Sequence, residues 1–190
     1  MKISLHRIAI VAGLALALGA LHSPAAPAAD SVLKTAAAAV EDGFFDLALK
    51  QVRPLLKQSN LSPVETMEAL VISARALYGK EQYHELVDLI DDGRLRKAPA
   101  VGSGILRFWR AMGWYGWGRY EEALEALEAI DGKTIPADYN PRIERLKAWC
   151  LLKSGNKNKA LAVFARIENE YGNSPEGAGN LLEWGRALYE

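Results

Sequence analysis

The chain has 190 residues, 50% of them hydrophobic and 24% charged, with 23 Lys and Arg balancing 23 Asp and Glu. That apolar share suffices for a packed core and excludes general disorder, and the length favours one domain or at most two. Zero net charge argues against a nucleic-acid binder, which needs a basic excess to neutralise phosphates, and a single cysteine excludes a disulfide framework or a multi-thiolate metal cage.

The first segment stands apart from the rest. Lys2 and Arg7 give a basic start, Ile8 to Leu21 contains only Ala, Leu, Ile, Val and Gly, and small residues and prolines follow through Ala29. This is the layout of a secretory signal peptide, and the apolar run is short for a spanning helix, which needs about 20 residues. Cleavage is expected after Ala28, leaving a domain over 29–190 in a periplasmic or secreted setting; an uncleaved N-terminal anchor is the alternative. Removal of 1–28 leaves a net charge of −2 and one histidine, His84.

Helical spacing of apolar residues then predicts helices over 31–42, 44–58, 63–79, 82–92, 102–117, 120–131, 141–154, 157–171 and 175–189. Ser62-Pro63-Val64-Glu65 reads as a capping box with proline at the first helical position. Asn140-Pro141 and Ser174-Pro175 read as further cap-then-proline starts. Arg94, Arg96 and Lys97 suit the negative end of the helix before them. Strand-type alternation is absent, so the class is all-α.

These elements repeat. Ala74, Ala111, Ala148 and Gly185 are 37 residues apart, as are Leu77, Trp114, Leu151 and Leu188. Three further series step by 38 and then 37 twice: Gly43, Glu81, Gly118, Gly155; Ala48, Leu86, Ala123, Ala160; and Val52, Ile90, Leu127, Phe164. Phe45, Tyr83, Tyr120 and Lys157 keep the same step. Each unit reads as two helices around a tight turn, and one such pair cannot bury its apolar stripes alone, so neighbours must stack.

Gly118-Arg119-Tyr120-Glu121-Glu122-Ala123-Leu124 resembles the turn and second-helix opening of tetratricopeptide repeats. The segments 155–161 and 43–49 are similar, although Lys157 replaces the usual aromatic. The resemblance covers nearly all of 30–190 and implies a right-handed α-solenoid of about four helix pairs plus a ninth helix. It departs from the family in a period of 37 rather than about 34, implying longer connections such as Gly93 to Ala100, and in Arg107 and Arg110 at usually apolar places.

Catalytic constellations are sparse. His84-Glu85-Leu86-Val87-Asp88 misses the zinc-protease helix motif because Asp88 stands where the second histidine belongs. Gly102-Ser103-Gly104 lacks the spacing of a nucleophile elbow and reads as a helix-initiating loop. Cys150 reads as a small buried hydrophobe. Glu121, Glu122, Glu125 and Glu128 read as a solvated helix side. No metal site or cofactor is expected.

The resemblance further implies that first helices line the concave side. Carried over by position, the contacts for a protein or peptide partner are Arg75 and Tyr78; Phe108, Met112 and Tyr115; Arg142, Arg145, Trp149 and Lys153; and Arg186 and Tyr189. The alternative for Phe108, Trp149 and their neighbours is ordinary inter-repeat core. The set joins four aromatic or bulky apolar side chains in the third and fourth units to five cations in the second, fourth and last, while Asp and Glu are read as dominating the second helices. Arg145 matches one place of the family's carboxylate clamp, but Trp149 occupies the next and no asparagine lies in the matching positions, so that geometry is in doubt. The expectation is a non-enzymatic adaptor of the bacterial envelope. A self-assembling scaffold joined through Leu181, Trp184 and Leu188 of the last helix is the second reading, and an envelope hydrolase the third.

Overall fold

A computed structural model of the protein describes residues 29–100, 102–173 and 179–189. The leader and the Ser174-Pro175 start therefore lie outside the described residues. Ten α-helices and no strand occur among the described residues: α1 (Ala29–Glu41), α2 (Phe45–Leu55), α3 (Pro63–Gly79), α4 (Tyr83–Leu89), α5 (Asp92–Lys97), α6 (Ser103–Gly116), α7 (Tyr120–Glu128), α8 (Asn140–Lys153), α9 (Lys157–Tyr171) and α10 (Asn180–Tyr189). No described helix is long and apolar enough to cross a membrane.

The period is visible as geometry. At four turns spaced by the repeat, two backbone bonds recur: the Phe44 N–H donates to the Ala39 carbonyl (2.7 Å) and the Gly43 N–H to Val40 (3.1 Å). Gln82 and Glu81 bond Leu77 and Tyr78 in the same way, Arg119 and Gly118 bond Trp114 and Tyr115, and Asn156 and Gly155 bond Leu151 and Leu152. This 6→1, 5→2 pair is a Schellman motif, which needs a left-handed residue just beyond the helix. Gly43, Gly118 and Gly155 supply it at φ near 80°, and Glu81 adopts it at φ 59°.

Packing follows the same register. Ala74, Ala111 and Ala148, equivalent by the period, are all 0% exposed, as are Ala48, Leu86, Ala123 and Ala160. The small residues let first helices approach one another; the second-helix series fills the space behind them. Each second helix (α2, α4, α7, α9) touches the first helix of its own pair and that of the next, so hairpins stack in sequence. The core runs through three clusters, α1–α5 with Leu106, α6–α8 with Ile135, and α8–α10, with Trp109 packed against the first two.

Connections account for the lengthened period and for the differences from the predicted elements. The helix predicted over 82–92 ends at Leu89, because the Asp91 carboxylate accepts the Arg94 N–H (2.7 Å) and starts a separate helix, α5, inside the expected Gly93–Ala100 link. The basic run is thus α5's own last turn, although the Arg94 guanidinium does reach back to the Leu89 carbonyl at the end of α4. The helix predicted over 120–131 ends at Glu128, where Asp131 caps a short 3-10 turn. A second 3-10 turn, Ala137–Tyr139, runs directly into α8, so Asn140 is helical and makes no side-chain cap. Ser62 and Glu65 form the expected reciprocal capping box (3.2 and 2.8 Å). Despite Arg107 and Arg110, α6 keeps the predicted register, burying Leu106, Phe108 and Ala111.

Candidate functional site: a groove between α6 and α8

Along the first-helix side, α1 packs closely on α3 and α3 on α6, but α6 and α8 touch much less. The linker between α7 and α8 enters there: Ile135 is buried against the start of α6, and Tyr139 sets its ring edge-on to Phe108 (5.3 Å). What remains open is a groove of about 570 Å³.

Nine of the eleven predicted contact residues line it. Tyr78 comes from α3; Phe108, Met112 and Tyr115 from α6; Arg142, Arg145, Trp149 and Lys153 from α8; and Arg186 from α10. Phe108 is 6% exposed and belongs to the core, so it forms the floor rather than a free contact. Arg75 and Tyr189 are not brought in. The Arg75 guanidinium pairs with Glu41 (2.6 Å) across α1 and α3, and Tyr189 is 94% exposed on α10. Two lining residues were not predicted, Leu146 and Glu183. A signal for Glu183 did exist: it stands three residues before Arg186 on the same helical face, and the two pair at 3.3 Å.

The walls differ in chemistry. The α6 wall, extended by Tyr78, carries rings and a thioether. The α8 wall carries cations around Trp149: the Lys153 ammonium lies 5.8 Å from the Trp149 ring centre, and the Arg142 guanidinium 5.4 Å from that of Tyr139. Such contacts hold each charged head beside a ring for about 0.5–1 kcal/mol without removing it from water. Four cations and one carboxylate face the groove. Burial raises the pKa values of Tyr78 and Tyr139, the latter against the opposing pull of Arg142, so both phenols stay protonated at neutral pH and can donate hydrogen bonds.

Several charges outside the groove are paired. A cleft of about 300 Å³ bounded by α7, α8 and α9 holds Glu144, which pairs with Lys147 (3.0 Å) and Arg166. His84 pairs with Asp88 (3.0 Å) and sets its ring edge on Trp117 (4.6 Å), which accounts for the near-motif without a metal. Cys150 is fully buried and its thiol is pushed up to about 12, chiefly by desolvation, so the thiolate that would make it reactive is suppressed. The acidic shell expected of all the second helices is confined to α4 and α7: α2 and α9 each carry more Lys and Arg than Asp and Glu. Trp184, which only the self-assembly reading placed on an exposed patch, is partly buried against the third core cluster, and the exposed large apolar side chains of α10 are Leu181, Leu182, Leu188 and Tyr189.

Compared with known proteins, residues 117–182 match the tetratricopeptide repeat family, so α7, α8 and α9 form a tetratricopeptide repeat region, and the described residues around it hold helices and no strand. Comparisons with curated proteins and with solved structures returned no match.

Proposed function

We propose that the protein is a non-enzymatic protein–protein interaction module that holds a segment of a partner protein in the groove between α6 and α8, and that it acts in a bacterial envelope after export by its leader. The observation that carries the reading is the groove itself: rings and cations from four helices converge on one opening in a repeat architecture of the kind that suggests protein binding. The basic start, fourteen-residue apolar run and small-residue end of 1–28 support export. The groove's titratable side chains are phenols, cations and one ion-paired carboxylate, a set suited to recognition rather than to nucleophilic or acid–base turnover.

The test is a photo-crosslinking residue at Met112, with one at exposed Leu47 of α2 as control, in the cells of origin. The reading requires a defined envelope protein captured from position 112 and not from 47, whose purified form binds at least about tenfold more weakly to Trp149→Ala. Equal capture from both positions would contradict it.

A second reading, self-association through α10, is favoured by Leu181 and Leu188, 63% and 54% exposed on one helical stripe. Light scattering should then show a dimer that Leu188→Glu dissociates; a monomer at all concentrations rejects it.

A further inference from the structure

We propose that the protein has a second binding site, for an anionic amphiphile: an aliphatic chain ending in a carboxylate, its tail held among α3, α5 and α6 and its head at Arg94 and Lys97. The site is separate from the α6–α8 groove and does not depend on the reading of that groove.

The site arises where the repeat is interrupted. α5 follows the second helix of the second pair, and no α-helix stands in the same place after α2 or α7. Its Leu95 is buried in one core cluster with Leu106, which seats α5 against α6. Contacts between α5 and α3 are sparser, so α5 and the start of α3 do not close on each other. A pocket of about 220 Å³ remains. Leu70 and Leu106, both core residues, form its floor, and the partly buried Leu61 and Met67 its sides. Met67 lies against Gly102, where a β-carbon would come within 2.1 Å of the Met67 sulfur, so the glycine leaves Met67 its place in the wall. Thr66 brings the only uncharged polar side chain of the lining, so water inside finds few partners and an aliphatic tail displaces it favourably.

Charge selects the head group. Arg94 and Lys97 are the charged residues of the lining, and no acid accompanies them. They stand three apart on α5, so both reach out from one side of that helix. One Arg94 N–H donates to the Leu89 carbonyl, but a guanidinium carries several donors, and the others suit the paired oxygens of a carboxylate. A neutral amphiphile leaves both cations unanswered, and a cationic one is repelled.

The experiment titrates octanoate and octylammonium, which share a tail, into protein with isotope-labelled leucine methyls. Octanoate should move the Leu70 and Leu106 resonances and bind at least about tenfold more tightly than octylammonium. Affinity should rise about fourfold per methylene from butanoate to hexanoate, the increment expected of apolar burial. Lys97→Glu, at an exposed position and so not needed for folding, should weaken octanoate at least about fivefold. Ala98→Leu puts a larger side chain into the pocket at extended backbone that accepts it (φ −65°, ψ 147°), and should abolish the two leucine shifts while unfolding stays cooperative. Trp149→Ala should leave octanoate binding unchanged; its loss there would place the ligand in the α6–α8 groove and overturn the proposal. Equal binding of octylammonium, affinity unaffected by Lys97→Glu, or Leu70 and Leu106 unmoved by saturating octanoate would overturn it too, while leaving the partner site standing.

Discussion

Glu81 is where repeat position and backbone conformation conflict. Its three equivalents are glycines, and at φ 59° its own β-carbon crowds the following carbonyl, a cost of about 1–2 kcal/mol for an L-residue. Glycine would relieve that cost but loses about 0.4–1 kcal/mol to the freer unfolded chain. Glu81→Gly should therefore raise stability in urea by up to about 1 kcal/mol, whereas Gly118→Ala at the matching turn should lower it by about 1–2 kcal/mol. A loss of stability in Glu81→Gly would refute the shared turn geometry. Cys150 offers a second residue-scale check. Because its thiol is buried and its pKa raised to about 12, labelling by a thiol reagent at neutral pH should proceed only as fast as the protein unfolds, and immediate labelling of the native protein would contradict its burial. The spacing of the sequence shows that position 81 belongs with the glycines; it does not show that a glutamate would accept their conformation, which depends on two hydrogen bonds made by a folded helix end.

At the scale of elements, α10 is the most informative. Asn180, fully buried, donates from its side-chain amide to the Phe164 carbonyl and to Glu168 (both 3.1 Å), pinning the start of α10 onto α9. Replacing it with Ala strands those acceptors, a cost of about 1–3 kcal/mol. The loss should fall locally, so hydrogen exchange in Asn180→Ala should accelerate over 181–189 while α3 stays protected; uniform acceleration would mean that α10 is not a separable unit. Nothing in the sequence singled out Asn180, since a lone asparagine after a glycine reads as a turn until the carbonyl it must satisfy is located. The same limit hid α5: Asp91 resembles the tail of a preceding helix until its carboxylate is seen capping a new one. Ser62, by contrast, carries its partner Glu65 three residues away, and short-range reciprocity of that kind is legible. Ser62→Ala should cost about 1 kcal/mol. The two bonds from Ser62 hold the Glu65 pKa below its usual value, so this stabilisation is present above the ordinary carboxylate pKa and fades as pH falls through the lowered one. Urea titrations at neutral and acid pH should show the effect of Ser62→Ala shrinking with acidification.

Across the whole molecule, stacking of nearest neighbours explains both what the sequence reveals and what it conceals. Four hairpins with one turn geometry bury equivalent alanines, and a constant period suffices to read that off. The groove lies where α6 and α8 touch less than the first helices before them, and it depends on Ile135 and Tyr139 of an irregular linker that no periodicity describes. First-helix position was enough to bring nine residues to one opening, whereas Arg75, held in a long-range pair with Glu41, and the exposed Tyr189 do not line it. The distribution of charge over the second helices likewise depended on α9, where Lys157, Lys159 and Arg166 offset the acids of its last turn. The central claim is that partners enter between α6 and α8. It is tested most directly by fluorine NMR of protein carrying fluorinated tryptophan at its five positions, titrated with the partner crosslinked from position 112. The account predicts that the Trp149 resonance moves while that of Trp117, exposed beside His84 and outside the groove, stays in place; movement of Trp117 with Trp149 unchanged would contradict it.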